Sequence, residues 1–211
     1  MKSRTIRAGF AMSSVAVALA VAFPPLACAQ NYPAKPIRLM VPFPPGGPAD
    51  ILSRVVAKRL SEQMGQAMVI ENRAGAGGTS AMEIVAKSPG DGYTLGLGSN
   101  STFAIAPALY TNLSYDPFKS FAPISLIARS ASVIVINASL PANNLRELIA
   151  LLKTRPGGYN YGSNGNGTIP HLAGMLFQSR TGTQLVHVPY KGVAPMTNDL
   201  IAGQVQLGFI V

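Results

Sequence analysis

Short apolar runs in this chain alternate with helical patterns, and four of the connecting loops are rich in glycine, proline, serine or asparagine. Parallel strands can be joined only by a crossover, so this order suits a parallel sheet flanked by helices, an α/β fold. The first run, Ile37 to Val41, stops at Pro42-Phe43-Pro44-Pro45-Gly46-Gly47. A helix is predicted from about Asp50 to Met64, with Ile51, Val55, Leu60 and Met64 on one face and Gly65 as its stop. A second strand, Met68 to Glu71, precedes Gly75-Ala76-Gly77-Gly78, and Ser80 with Glu83 has the spacing of a capping box. Tyr93 to Leu97 then runs into Gly98-Ser99-Asn100-Ser101 and a proline-interrupted helix from Ala104 to Tyr110.

Beyond Asp116-Pro117 the rhythm changes. Ile124 to Ala128 and Val133 to Ile136 read as adjacent strands with no helix between them, which makes this the expected crossover between two lobes. Asn144 and Glu147 form a second capping box for a helix ending at Arg155-Pro156. A strand at Asn160-Tyr161, the loop 162–168, a helix to Arg180 stopped by Gly182, a strand at Leu185 to Val188 and a helix from Pro195 to Ala202 follow. The last run, Val205 to Val211, reads as a strand. An apolar strand left at an edge invites aggregation, so the chain is expected to be a truncated product whose second lobe is incomplete.

In an open α/β sheet, loops at the carboxyl ends of strands gather where ligands bind. Each such loop opens a helix, so free N–H groups and the positive end of the helix dipole face the same space. Glycine lets the backbone approach without a Cβ in the way. The loops 42–49, 73–78, 98–101 and 162–168 together make an anion receptor that needs no arginine. A hydrogen bond to a charged group contributes about 1.5–3 kcal/mol, and a helix dipole about 0.3–2.

Other chemistries find less material. Gly75-Ala76-Gly77-Gly78-Thr79-Ser80 approaches a dinucleotide fingerprint, but Ser80 replaces its third glycine, and no GxxxxGK[ST] string occurs. A nucleotide-dependent enzyme using Gly75 to Ser80 is therefore the alternative function, with a non-binding remnant as the third. Asp50 reads as a helix N-cap or a ligand contact, and His171 as a cleft donor or a packed ring. His187 reads as structural, and Ser163 lacks a G-x-S-x-G elbow. Glu147 and Asp199 read as capping or surface charges. No pair of carboxylates suggests acid–base work, so no enzyme, cofactor or metal is expected.

The formal charge is +9, yet the lysines and arginines are scattered singly, which gives no nucleic-acid footprint. One cysteine and two histidines supply neither a zinc site nor a disulfide framework. At the amino end Lys2, Arg4 and Arg7 precede an apolar run from Ala11 to Phe23, which Pro24 and Pro25 break before it could span a membrane. Ala27-Cys28-Ala29 then fits a signal peptide over 1–29 cleaved after Ala29. Acylation of Cys28 is the alternative, opposed by Pro25 where such signals prefer a branched aliphatic.

Six strings in order carry a resemblance: PFPPGG at 42–47 with Asp50 and Arg54, ENRAGAGG at 71–78, SPGDGYTL at 88–95, LYTNLSYDPFKSFAPI at 109–124, YGSNGNGT with HLAG at 161–174, and HVPYKGVAP at 187–195. Together they resemble the Bug family, extracytoplasmic solute receptors of tripartite tricarboxylate transporters. The resemblance implies a two-lobed, type II-like periplasmic-binding-protein fold, each lobe a mostly parallel sheet flanked by helices. Lobe one would take 30–130 and lobe two 131–211. It also implies a periplasmic monomer that closes on a small organic carboxylate and delivers it to membrane permease subunits. Family members are longer than this chain. Motif by motif, Phe43, Pro45, Gly46 and Gly47, with Asp50 behind them, would line the cleft from lobe one, joined by Gly77, Gly78, Ser99 and Asn100. Ser163, Gly165, Gly167 and Thr168 would grip the carboxylate from lobe two, with His171 just behind. Removing the Thr168 hydroxyl is expected to weaken binding with little loss of stability.

Overall fold

The computed structural model describes residues 31–211, so the signal segment expected over 1–29, with Cys28, lies outside the described residues. The first sheet is wholly parallel, in the order β2-β1-β3, with β1 at Ile37–Val41, β2 at Met68–Asn72 and β3 at Thr94–Gly96. β1 is central, and Ile37, Leu39, Met40 and Val41 are all buried, the near-continuous apolar run that a strand covered on both faces needs.

Helix α1 spans Pro48–Met64 and ends on Gly65, whose left-handed φ of 66° lets its N–H reach the Ser61 carbonyl. The face that turns to the sheet is not the predicted one. Asp50, Ser53 and Ala57 are buried, whereas Ile51 is 57% and Val55 61% exposed. Small residues let the helix axis lie close to β1, where Ala57 packs with Leu39 and Val41. Size, not hydropathy, selects this face.

Helix α2, Thr79–Ala86, is opened by Gly78 and not by a Ser80–Glu83 capping box. A tight turn at Ala76–Gly78, with φ positive at all three residues, winds straight into the helix. Ser80 is thus already helical, and Glu83 pairs with Lys87 a turn further on. After β3 a π-type turn at Ser101–Ile105 leads into the short helix α3, Ala106–Leu109.

The second sheet has the order β4-β7-β5-β6, with β4 at Val133–Ile136, β5 at Asn160–Ser163, β6 at Val186–Pro189 and β7 at Leu207–Ile210. β5 is parallel to both β6 and β7, and β4 runs antiparallel to β7. The closing strand is therefore interior to its sheet, with Leu207 and Phe209 buried, and is not the unpaired edge expected from sequence. Its core joins Tyr159, Tyr161, Leu148 and Leu152.

The helices of this part are α4 at Leu145–Thr154, α5 at Ile169–Thr181 and α6 at Val193–Ile201. The predicted capping box of α4 is present. Asn144 Oδ1 accepts from the Glu147 N–H at 3.0 Å, and the Glu147 carboxylate takes the Asn143 N–H at 2.7 Å. Gly182, at φ 64°, stops α5 as predicted. Ile124 to Ala128 has no strand partner among the described residues. A strand persists through its neighbours' hydrogen bonds, and this run instead links the two sheets with Ile124 and Leu126 exposed.

Candidate functional site

The loops at the carboxyl ends of both sheets surround two cavities. The larger is about 870 Å³ and is bordered by 43–45, 47–49, Leu52, 96–101, Phe103, 125–130, Asn164, Ile169 and Pro170, Val193 and Ala194, and Val211. The smaller, about 190 Å³, lies between Gly75–Gly78, Asn164–Asn166 and Tyr190–Lys191. Phe43 and Asn164 line both.

The first loop is shaped from behind by Asp50. This residue is not the N-cap of α1, a place held by Gly47; it sits two residues into the helix. Its carboxylate accepts from the Gly46 N–H at 3.0 Å, from Arg54 Nε and Nη2 at 2.9 and 3.0 Å, and from Asn72 Nδ2 at 3.0 Å. Asn72 Nδ2 also donates to the Phe43 carbonyl at 2.9 Å, tying the loop to β2. Chiefly through Arg54, the carboxyl is held down at about 2, although burial opposes this. With both oxygens engaged and only 3% exposure, Asp50 is a clamp for the loop and lines neither cavity.

The 163–168 loop is held by its own side chains. Ser163 Oγ donates to the Gly165 carbonyl and accepts the Gly165 N–H, both at 3.2 Å, and lies 2.7 Å from His187 Nε2. Those roles balance when Nε2 carries the hydrogen. Thr168 Oγ1 donates to the same carbonyl at 2.6 Å, and His171 Nδ1 accepts the Gly167 N–H at 3.2 Å. The two imidazoles stack with centroids 4.2 Å apart. Burial, helped by His171, pushes His187 down to about 4, and burial lowers His171 as well. Ser163 and Thr168 are completely buried, so their hydroxyls brace the turn. The expectation that Thr168 acts on binding alone, with little part in stability, does not fit this geometry.

The predicted residues therefore divide. Phe43, Pro45, Gly47, Ser99 and Asn100 line the larger cavity, and Gly77, Gly78 and Gly165 the smaller. Gly46, Asp50, Ser163, Gly167, Thr168 and His171 lie behind the walls and shape them. Glycine is required where loops of the two sheets meet. A Cβ on Gly167 would lie 2.5 Å from Leu109 Cδ2, and one on Gly77 would lie 2.9 Å from the Asn166 carbonyl.

Several wall residues are absent from the site expected from sequence, although the strings around them were marked as loop, strand or resemblance: Asn164, Tyr110, Tyr190, Lys191 and the 125–130 segment. Asn164 Oδ1 is buried with no hydrogen-bond partner among the described residues.

The helices carry the electrostatics. α1, α2, α5 and α6 begin at Gly47, Gly78, Thr168 and Gly192, and none of these starts is capped by a side chain. Their first turns border the cavities, through Gly47 and Ala49, Gly78, Ile169, and Val193 and Ala194. Uncapped amino ends present peptide N–H groups and positive partial charge to that space, which favours an anion.

Residues 52–211 match the family described as Tripartite tricarboxylate transporter family receptor. Protein BugT of Bordetella pertussis is 42% identical over 178 residues, which cover 84% of this chain and 55% of that protein. A solved structure of a periplasmic transporter is similar at 44% identity and a TM-score of 0.83, covering 85% of this chain and 60% of that one. R. palustris Rpa4515, solved with adipate, gives 40% identity, a TM-score of 0.83 and the same coverage. The chain spans about half the length of the curated relatives it matches.

Proposed function

Because the chain belongs to the tripartite tricarboxylate transporter receptor family, we propose that it is a solute receptor that captures a small organic carboxylate outside the cytoplasmic membrane. The observation that carries this reading is the convergence of helix amino ends with uncapped starts on the same pair of cavities. A carboxylate there would receive peptide N–H groups held in place before it arrives, so little ordering cost accompanies binding. Adipate, the acid held by Rpa4515, is of the same class.

The two sheets serve as the two lobes, 30–130 and 131–211, and the 42–47, 98–100 and 163–168 loops as their facing lips. Ligand that touches both sides stabilises the closed arrangement by its differential contacts, and permease subunits read that arrangement. Delivery to such a permease, a monomeric state and a periplasmic location follow from the same reading.

Binding without turnover fits the chemistry of the walls. Ser163 and His187 resemble a nucleophile and base, yet the serine is fully buried, neither residue lines a cavity, and His187 stacks on His171 with no carboxylate to orient it. The Gly75–Ser80 loop borders only the cavity of about 190 Å³, less than the roughly 300 Å³ at which small-molecule sites begin.

Isothermal titration of the 211-residue chain against mono-, di- and tricarboxylates, aromatic acids and acidic amino acids tests the proposal. Saturable binding of at least one acid, with no product formed on prolonged incubation, is expected. Absence of heat and of thermal stabilisation across the whole panel would overturn it, and would favour a non-binding remnant.

A further inference from the structure

The two cavities differ in their walls. Phe43, Leu52, Leu97, Phe103 and Ile169 make the lining of the larger one mostly apolar, neutral serines and asparagines such as Ser99 and Asn100 interrupt it, and Arg129 is its only charged side chain among the described residues. The smaller is bordered by the glycine turns at Gly75–Gly78 and Gly165 together with Tyr110, Asn166 and Tyr190, and Lys191 is its only charged side chain among the described residues; no aspartate or glutamate side chain lines either. A space of about 190 Å³ admits a carboxylate head with a short stem but not a body as well.

Lys191 itself is uncommitted, since it joins none of the ion pairs among the described residues. Its backbone is nonetheless fixed on both flanks. The Tyr190 N–H donates to the Ser163 carbonyl at 2.9 Å, and the Tyr190 hydroxyl donates to Asp199 Oδ2 at 2.7 Å. On the other side, a Cβ on Gly192 would sit 2.9 Å from Pro44 Cδ, so the chain is pressed against the first loop. A cation with no ion-pair partner among the described residues is thus carried on a rigid mount beside the uncapped start of α6.

We infer that Lys191 is a specificity-determining cation: it takes the ligand's carboxylate head in the smaller cavity, while the larger cavity takes an apolar body. The inference rests on the receptor reading and names the substrate class within it, an acid with a hydrocarbon or aromatic body. A compact polyanion would bring several charges into a mostly apolar space whose polar groups, Arg129 apart, are neutral, and burying an unpaired charge is costly.

Adipate, benzoate and citrate are titrated into the 211-residue chain, into Lys191→Met and Lys191→Arg, and into Lys153→Met as a surface control on α4. Adipate or benzoate is expected to bind at least tenfold more tightly than citrate. Lys191→Met should weaken that binding at least tenfold and flatten its salt dependence, Lys191→Arg should restore it to within about threefold, and Lys153→Met should change nothing. Unliganded melting temperatures should coincide, because the exposed lysine holds no part of the fold. Equal affinity in Lys191→Met, or tighter binding of citrate, overturns the inference and leaves the receptor reading intact. If none of the three acids binds any variant, the inference is overturned, whereas the receptor reading falls only when the wider panel of acids fails as well.

Discussion

Replacing Asp50 by alanine tests whether this carboxylate clamps the first loop or touches ligand. The substitution strips an acceptor from the Gly46 N–H and from Asn72 Nδ2, both partly buried. Each donor left without a partner costs about 1–3 kcal/mol, whereas the exposed Arg54 loses under about 1. The expected destabilisation is therefore about 3 kcal/mol near neutral pH. At roughly 2–4 °C per kcal/mol for a chain of this size, the melting temperature should fall by about 6–12 °C. The pH dependence is a second, independent signature. A carboxyl held at about 2, against an ordinary 3.8, stabilises the fold fully above the ordinary value and loses that contribution as pH falls toward 2. The gap between the parent chain and Asp50→Ala should thus be widest at pH 6 and shrink through pH 4 toward pH 2. Thermal unfolding followed by circular dichroism at those three values measures it. A variant that melts within 2 °C of the parent at pH 6 yet has lost carboxylate binding would refute the clamp and make Asp50 a ligand contact.

Three further outcomes are expected. Stability of the parent chain should decline as pH falls from about 6.5 toward 4, since His187 stays neutral in the fold but charges in the unfolded chain; His187→Gln should flatten this stretch of a urea-midpoint profile. Gly174→Ala should cost about 1–3 kcal/mol by calorimetry, because its Cβ would lie 2.2 Å from the buried Tyr161 ring. Thr168→Ala should lower unliganded stability by about 1–2 kcal/mol through loss of the bond to the Gly165 carbonyl, and Thr168→Ser should recover most of it.

The alternation of apolar runs and glycine-rich loops was enough to locate the strands, and stop signals such as Gly65 and Gly182 ended helices where expected, because these are local backbone effects. What failed was whatever depended on the partner. Ile51 and Val55 looked like the buried face of α1, but close packing on β1 favoured Ser53 and Ala57. Ile124 to Ala128 had strand composition without a neighbour, and Val205 to Val211 looked like an edge until β4 and β5 closed on it from both sides. The site divided along the same line. Wall glycines such as Gly77 and Gly165 stand out by type, whereas Ser163, Thr168 and His171 were legible as polar residues near a loop but not as its internal braces. Asn164 and Lys191 reach the cavities only through tertiary placement of the loops that carry them.

The interior position of β7 sets an order of events during synthesis. β4 has β7 as its neighbour and β5 needs it on one flank, although more than 70 residues separate β4 from β7. Residues up to 96 can pair within their own sheet as they emerge and β5 can pair with β6 once residue 189 is made, but the later sheet cannot be completed before residue 207 has left the ribosome. Until then β4 has no neighbour and one flank of β5 stays open, the kind of unpaired edge that holdase chaperones cover.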